Sequence, residues 1–587
     1  MKKNLLVLAC LAGCLSLGAQ EKVKEVVTDS YDRNGLSVIV VNRGDSYDYQ
    51  TTNFINQLVV DEKFDANAIS VKSVSLNKDR SVAITQEEAD SLIKCNNIAK
   101  EVLGFIYNRK ADGSMDDELL RYRGQYNAKD QDVINSAAAK VNEQHLEWGE
   151  KLIASSYVIL IDFVDIHQPE SSDGKKSDSY MCDAYTYAYK MDCSREKLDE
   201  FYMTSWANAN DNAEAKAAAV KGFEALDLNM VPVASVKTGS SNLTSTLGSL
   251  GTSFKGLGAS MKAAASSLKA TKTDDSEDVA TAEAETVAEN VTPTFPDNSV
   301  EKAEYDAYTA AIVKLENQIP AWQVAVSIIS TKPLKAKIGK KEGVSNGKRF
   351  RAYSYTEDKD GNLVSKKRGY LRATKVSDNR GVSTGATEPS EFYQISGVAN
   401  IQEGWTIKQK NDIKLGAALT GKVGGLGSID AGLDFDYLIH ISKIGSIYAM
   451  FNIGTDVMLY GQKAYDHSFI NLNASAGVGY GLHVGRFVEI APYIMAGADM
   501  MKLNEDVTFT DLTEEQNKKT YAIFVEPGLR ASFQVAYPLS LFVKAGYDLL
   551  LNADQSATYY NAINVTLPEN RKHKSGVFGE IGVRWAF

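Results

Sequence analysis

Residues 576–587 read GVFGEIGVRWAF, and their alternation decides the fold. Val577, Gly579, Ile581, Val583, Trp585 and Phe587 occupy the odd positions, and Phe578, Glu580, Gly582, Arg584 and Ala586 the even ones. A period of two is that of a β-strand, whose successive side chains point to opposite faces. The odd face is apolar to its end and the even face carries charge, so the face without charge needs an apolar solvent. The pattern recurs seven times upstream, and eight is an even strand count, as single-chain bacterial transmembrane barrels have.

The spacing predicts strands over about 412–423, 428–440, 446–461, 470–484, 489–501, 521–536, 539–551 and 576–587. In the second, Ile429, Ala431, Leu433, Phe435, Tyr437 and Ile439 alternate with Asp430, Gly432, Asp434 and Asp436. Strands left open in hydrocarbon would leave backbone groups unpaired, so only a closed eight-stranded antiparallel barrel is viable. Strands 2–3, 4–5 and 6–7 are joined by short segments, ISKIG, VGRFV and YPL. Strands 3–4, 5–6 and 7–8 are joined by about 8, 19 and 24 residues, as expected if short turns face the periplasm and long loops face outward. The first outer connection, GGLG, is the short exception. In a soluble β-sandwich or lipocalin-like barrel the apolar face points inward and the outside is polar. Here the would-be inner face carries Asp, Asn, Glu, Arg or Lys on nearly every strand, too much charge for a dry core without partners. Eight strands enclose just enough room for side chains. Asp430, Asp434, Asp436, Asp456, Glu526, Asp548 and Glu580 are therefore expected to pair with Lys414, Arg530, Lys544 and Arg584 and plug the lumen.

The chain has 587 residues and a formal net charge of −11. Without a basic stripe, this excludes a nucleic-acid surface. MKKNLLVLACLAGCLSLGAQ has the form of a secretory signal: two lysines, an apolar core, then small residues. Leu11–Cys14 resembles a lipobox, which would lipidate Cys14; Ala19-Gln20 resembles the signal-peptidase junction common in Bacteroidetes exports. We expect cleavage after Ala19. Elsewhere no run of about 20 apolar residues offers a helical span. Cys182 and Cys193 flank ten residues of one tyrosine-rich strand, which would hold them roughly 30 Å apart, so no disulfide between them is expected. Neither Cys-x-x-Cys nor His-x-x-x-His occurs, and no metal or cofactor is expected.

Residues 20–235 read as a periplasmic α/β domain. It has a strand at Gly35–Asn42, one amphipathic helix over Ile84–Tyr107, a helix over Asp130–Ala154, a buried strand Ser156–His167 and a helix Ala213–Leu226. Residues 236–296 form a Ser/Gly/Ala-rich, then acidic, linker. Within it Leu243, Leu247, Leu250, Phe254, Leu257, Met261, Ala264 and Leu268 keep 4-3 spacing, as for a segment that folds against a partner. Residues 297–411 read as a helix followed by short strands of a small SH3-like β domain.

Two stretches carry a family resemblance. GVSNGKRFRAY, DGNLVSKKRGYLRATKV and IQEGWTIK resemble, in that order, the C-terminal SH3-like domain of flagellar assembly protein T. GEKLIASSYVILIDF resembles the curli-secretion lipoprotein family. The resemblance implies assembly or secretion support at the outer membrane, without catalysis. The final strand, with Trp585 and terminal Phe587, likewise resembles the signal read by the barrel-insertion machinery.

Three motifs look like chemistry. Gly416–Lys422, GAALTGK, copies a P-loop up to its lysine, but Val423 stands where Ser or Thr would hold magnesium, and no helix follows. Asp466, His467 and Ser468 are adjacent, whereas triad members converge from separate places. Asp162, Asp165 and His167 are expected to be a structural cluster. The sequence thus describes a non-enzymatic outer-membrane barrel anchoring a periplasmic module, with outer-membrane lipid, the insertion machinery and a periplasmic protein as partners. The alternatives are a channel, or a surface adhesin or enzyme built on Lys502–Thr520 and Asn552–Ser575.

Overall fold

The structure is a computed structural model. It describes residues 21–22, 33–120, 151, 153–170, 174–240, 295–357, 359, 363–380, 388–426, 428–457, 463–464, 467–503, 521–551 and 575–587. The signal segment with Cys14, most of the helix expected over Asp130–Ala154, the 4-3 stripe of the linker, Asp466 and most of the two long outer connections lie outside these residues. The chain divides into two compact units.

The α/β unit is built on β1 (Asn34–Asn42), β2 (Phe64–Ala66), β3 (Ser73–Ser75), β4 (Ser156–His167), β5 (Met181–Asp192) and β6 (Asn229–Gly239). The sheet order is β2-β1-β4-β5-β6, with β3 also paired to β1. β1 runs parallel to β2, β3 and β4, while β5 and β6 are antiparallel additions. SVIVV and YVILIDFV are apolar runs broken only by the buried Ser37 and Asp162, because both faces of β1 and β4 are covered. One face packs Leu36, Val40, Ile159, Ile161 and Phe163 against α1 (Asp48–Gln57). The other packs Ile39, Val41, Val158 and Leu160 against α2 (Gln86–Cys95), α3 (Ile98–Ile106), α4 (Arg195–Thr204) and α5 (Ala213–Ala225).

Two expectations are corrected here. The single helix over Ile84–Tyr107 is two helices: Thr85 caps α2 through a reciprocal capping box with Glu88, and Asn97 stands between α2 and α3 at φ 50°. Asparagine tolerates this left-handed conformation, and its presence ends the first helix. The boundaries at 235 and 297 also move. β6 continues to Gly239, and α6 (Val300–Gln318) belongs to the α/β unit, where Ala303, Ala307, Ala311 and Leu315 join the core beside Phe54 and Phe163. Its small, regularly spaced residues give α6 an apolar stripe that needs a sheet to lie on. Cys95, Cys182 and Cys193 form no disulfide with one another.

The second unit begins with a small antiparallel β module. Its strands are β7 (Ala325–Ser327), β8 (Ser330–Thr331), β9 (Leu334–Ala336), β10 (Arg349–Glu357), β11 (Leu363–Lys375), β12 (Ser390–Ser396) and β13 (Thr406–Gln409). They are ordered β7-β13-β10-β11-β12-β9-β8, with the two-residue strand Glu21–Lys22 beside β11. Val326, Phe350, Ala352, Leu371, Ala373, Phe392 and Ile407 fill the core.

The barrel follows: β14 (Leu415–Gly424), β15 (Ser428–Ile441), β16 (Gly445–Asp456), β17 (His467–Val484), β18 (Val488–Leu503), β19 (Tyr521–Ala536), β20 (Leu539–Leu550) and β21 (Gly576–Ala586). Each strand pairs antiparallel with the next. β21 pairs with β14, Ala586 opposite Gly416 through Phe578 opposite Gly424, so the barrel closes and leaves no open edge.

Candidate functional site in the barrel

The apolar face of each strand looks outward, at the odd positions in six strands and at the even positions in β17 and β18. Leu419, Val543 and Ile581 are 65%, 55% and 67% exposed, and Leu433, Val478, Ile494, Leu529 and Trp585 share the same surface. An apolar exterior continuous around eight strands is incompatible with water and suits hydrocarbon. Among the described residues no helix is long and apolar enough to cross a membrane. Trp585 pairs with Ala417 and Leu539, and the Phe587 N–H donates to the Leu415 carbonyl. Both aromatics therefore lie on the outer face at the rim where the short turns sit.

The opposite face of each strand fills the lumen with paired charges. Asp436 accepts from Arg584 at 2.5 Å and from Arg530 at 3.3 Å, and Arg530 reaches Glu489 at 3.5 Å. The Tyr448 hydroxyl donates to the same Glu489 at 2.9 Å. Lys544 sits between Asp434 and Glu580, the latter at 2.9 Å, and Asn452 donates to Asp434 at 2.5 Å. Lys422 lies 2.8 Å from Glu526 and 2.9 Å from Asp548, and Tyr493 donates to Glu526 at 2.9 Å. Towards the long connections, Asp430 stands opposite Asp456, and Asn471 donates to Asp499 at 2.9 Å.

Glycines make room for these large side chains. A Cβ on Gly416 would come within 2.3 Å of the Arg584 guanidinium, and one on Gly528 within 2.6 Å of the Tyr493 ring. Lys422 also lies over the Phe578 ring at 4.1 Å. The cavity between Lys422, Glu526, Asp548 and Asp499 has about 20 Å³, space for about one water. Paired charges and rings thus fill the interior that eight strands enclose.

The structure brings together Asp434, Asp436, Glu526, Arg530, Lys544, Asp548, Glu580 and Arg584, and places Asp430 and Asp456 face to face beyond them. Lys414 is a correction. It precedes β14 at φ 59°, and its Nζ donates at 2.7 Å to the Asn346 carbonyl of the β module. The fourth lumen cation, beside Arg530, Lys544 and Arg584, is Lys422, which the sequence reading left out although it shares the parity of Gly416, Ala418 and Thr420. Glu489, Tyr493, Asn452, Asn471 and Asp499 were also missed, and each is legible from the alternation of its own strand.

The P-loop copy is strand β14. Asp162 is a buried anchor for the loop after β1: it accepts from Arg43 at 2.9 and 2.6 Å and from the Ile84 N–H at 2.9 Å. His167 is exposed and turned to the Asp165 carbonyl. Among the described residues no three potential ligands are placed to hold a metal ion.

The β module covers the short-turn end of the barrel. Tyr393 stacks on His483 at 4.3 Å and 14°, and its hydroxyl donates to the Gly485 carbonyl at 2.6 Å. Asn346 donates to the Ile441 carbonyl at 2.7 Å and accepts from the Ile441 N–H at 2.9 Å. Tyr370 packs on Tyr537 at 4.1 Å, and Arg349 lies over the same ring. The junction between β13 and β14 is held as well: Arg349 donates to the Lys410 and Asn411 carbonyls, and Arg372 pairs with Asp412.

No family model and no curated protein matches the chain. Among solved structures it is similar to a de novo designed transmembrane β-barrel, with 16% identity, 30% of this chain, 98% of that chain and a TM-score of 0.17. It is also similar to Ail, the attachment invasion locus protein of Yersinia pestis, with 9% identity, 30% and 95% of the two chains, and a TM-score of 0.19. A third similarity is to a major outer membrane protein from Thermus thermophilus, with 13% identity, 30% and 99% of the two chains, and a TM-score of 0.19.

Proposed function

We propose that this chain is a non-enzymatic outer-membrane protein whose closed barrel anchors a periplasmic scaffold for assembly or secretion of another component. The observation that carries this reading is a lumen filled by paired charges beneath a docked β module, inside an apolar exterior. A barrel built this way is an anchor, and contact with partners falls to the rest of the chain. Short turns face the periplasm in bacterial barrels, and this supports reading residues 20–411 as periplasmic. The SH3-like reading of the β module and the resemblance to curli-secretion and flagellar assembly proteins supply the assembly or secretion role. Outer-membrane lipid, the insertion machinery and a periplasmic protein are the partners. Trypsin added to intact cells should spare residues 21–410 and digest them once the outer membrane is permeabilised. Cleavage within them on intact cells would overturn the topology, and steady conductance of the purified chain in planar bilayers would overturn the anchor.

A further inference from the structure

A cavity of about 110 Å³ lies between the β module and the short-turn end of the barrel. Arg372, Lys414, Arg486, Arg530 and Arg584 line it, against one lining carboxylate, Glu489. Three of the five cations have acidic partners. Asp412 holds Arg372, Asp436 holds Arg584, and Asp436 and Glu489 share Arg530. The other two donate to neutral oxygens, Lys414 to the Asn346 carbonyl and Arg486 to the Asn400 side chain. Arg530 is 3% exposed, and its buried Nε meets no protein acceptor. Five cations against three carboxylates leave an excess of positive charge in a space that Tyr393, Tyr448 and Tyr537 also line. Positive charge withdrawn from water is unfavourable without a countercharge.

We propose that this cavity binds a single oxyanion group, a phosphate or a carboxylate. Its volume is room for several waters, enough for one such group. Arginine forks suit planar and tetrahedral oxyanions, and Lys414 adds a point charge. A free anion and the head group of an anionic lipid share this chemistry, and the experiment separates them.

The full-length protein, folded in a zwitterionic detergent, is titrated with inorganic phosphate, with acetate and with short-chain phosphatidic acid. Chloride holds the ionic strength constant, and short-chain phosphatidylcholine is the lipid control. The readouts are the temperature at which the heat-modifiable band is lost and equilibrium binding of labelled phosphate. We expect a saturable rise in that temperature, with Lys414→Gln weakening the apparent affinity about tenfold, the weight of one charge-assisted hydrogen bond. Lys414→Arg should retain binding, and Lys443→Gln, on the exposed short turn, should change nothing. Saturation by phosphatidic acid but by neither phosphate nor acetate identifies a lipid head group as the source. Two results overturn the site: no saturable response of the unaltered protein to any of the three anions, or an equal loss in Lys443→Gln.

Discussion

Lys544→Met tests whether the lumen is dry. Lys544 is 1% exposed and is shared by Asp434 and Glu580, themselves 7% and 3% exposed. Methionine keeps the length of the side chain and removes the charge, leaving two buried carboxylates without their cation; Asp434 retains the Asn452 amide. Breaking a buried pair by deleting one partner costs about 3–5 kcal/mol, because the remaining charge stays desolvated. In a water-filled lumen the same pair would be worth about 0–1 kcal/mol. The two pictures of the barrel therefore differ by several kcal/mol at one residue. The assay is urea unfolding in phospholipid vesicles, followed by loss of the heat-modifiable band, which reports the barrel and not the α/β unit. A second chain carrying Lys544→Met, Asp434→Asn and Glu580→Gln removes all three charges and should recover most of the loss. A loss below about 1 kcal/mol for Lys544→Met would refute a dry, charge-filled lumen. So would a triple variant as unstable as the single one.

Three further outcomes are expected. Deleting Phe587, or replacing Trp585 and Phe587 with Ser, should reduce insertion and send the chain to periplasmic proteolysis; normal levels of heat-modifiable protein would count against their role at the rim. Gly528→Ala, which brings a Cβ within 2.6 Å of Tyr493, should cost about 1–3 kcal/mol in the same urea assay, whereas Gly579→Ala, with nothing within 4 Å, should be neutral. In the α/β unit, burial pushes the Glu304 carboxyl up from 4.5 to about 8, with one oxygen accepting from Thr51 at 2.5 Å. The folded unit then holds a proton that the unfolded chain loses above about pH 4.5, so stability should fall as pH rises from there to about 8 and level off beyond. Hydrogen exchange of α6 amides should follow that slope, and Glu304→Gln should flatten it; an unchanged slope in the variant would assign it to another group.

The barrel was legible because its rule is local. In β14, Leu415, Ala417, Leu419, Gly421 and Val423 face out and Gly416, Ala418, Thr420 and Lys422 face in, and parity alone orders them. Parity also explains the error at Lys414, which has the inward parity but sits one residue before β14. The left-handed turn of its backbone breaks the alternation there, and no period-two pattern carries that information. The split of the Ile84–Tyr107 helix was visible as Asn96-Asn97, but amphipathic spacing runs through it unbroken. The assignment of α6 was not legible: its stripe calls for a sheet without saying which, and the α/β sheet and the β module are both candidates in sequence. The cover over the short-turn end is less legible still, since contacts such as Tyr393 on His483 join residues about ninety positions apart.

The order of charges along the lumen bears on the anchor reading independently of how tightly it is packed. The long-connection end presents Asp430, Asp456, Asp499 and Asp548, answered by Lys422. Next come Lys544, Asp434 and Glu580, and then Arg530, Arg584 and Asp436 beneath the cationic cavity. A cation entering at the acidic end would be held there by carboxylates and would then face Lys422 and Lys544. An anion entering from the short-turn end would be held by the arginines and would then face Asp436 and Asp434. Conduction requires sites weak enough to leave as well as to enter, and charge of alternating sign on a narrow path gives each ion a trap followed by a barrier. Water reaching the lumen would soften both without removing the alternation. Removing the β module alone should therefore uncover a vestibule lined by Arg530 and Arg584 and leave the barrel beneath it closed to ions of either sign.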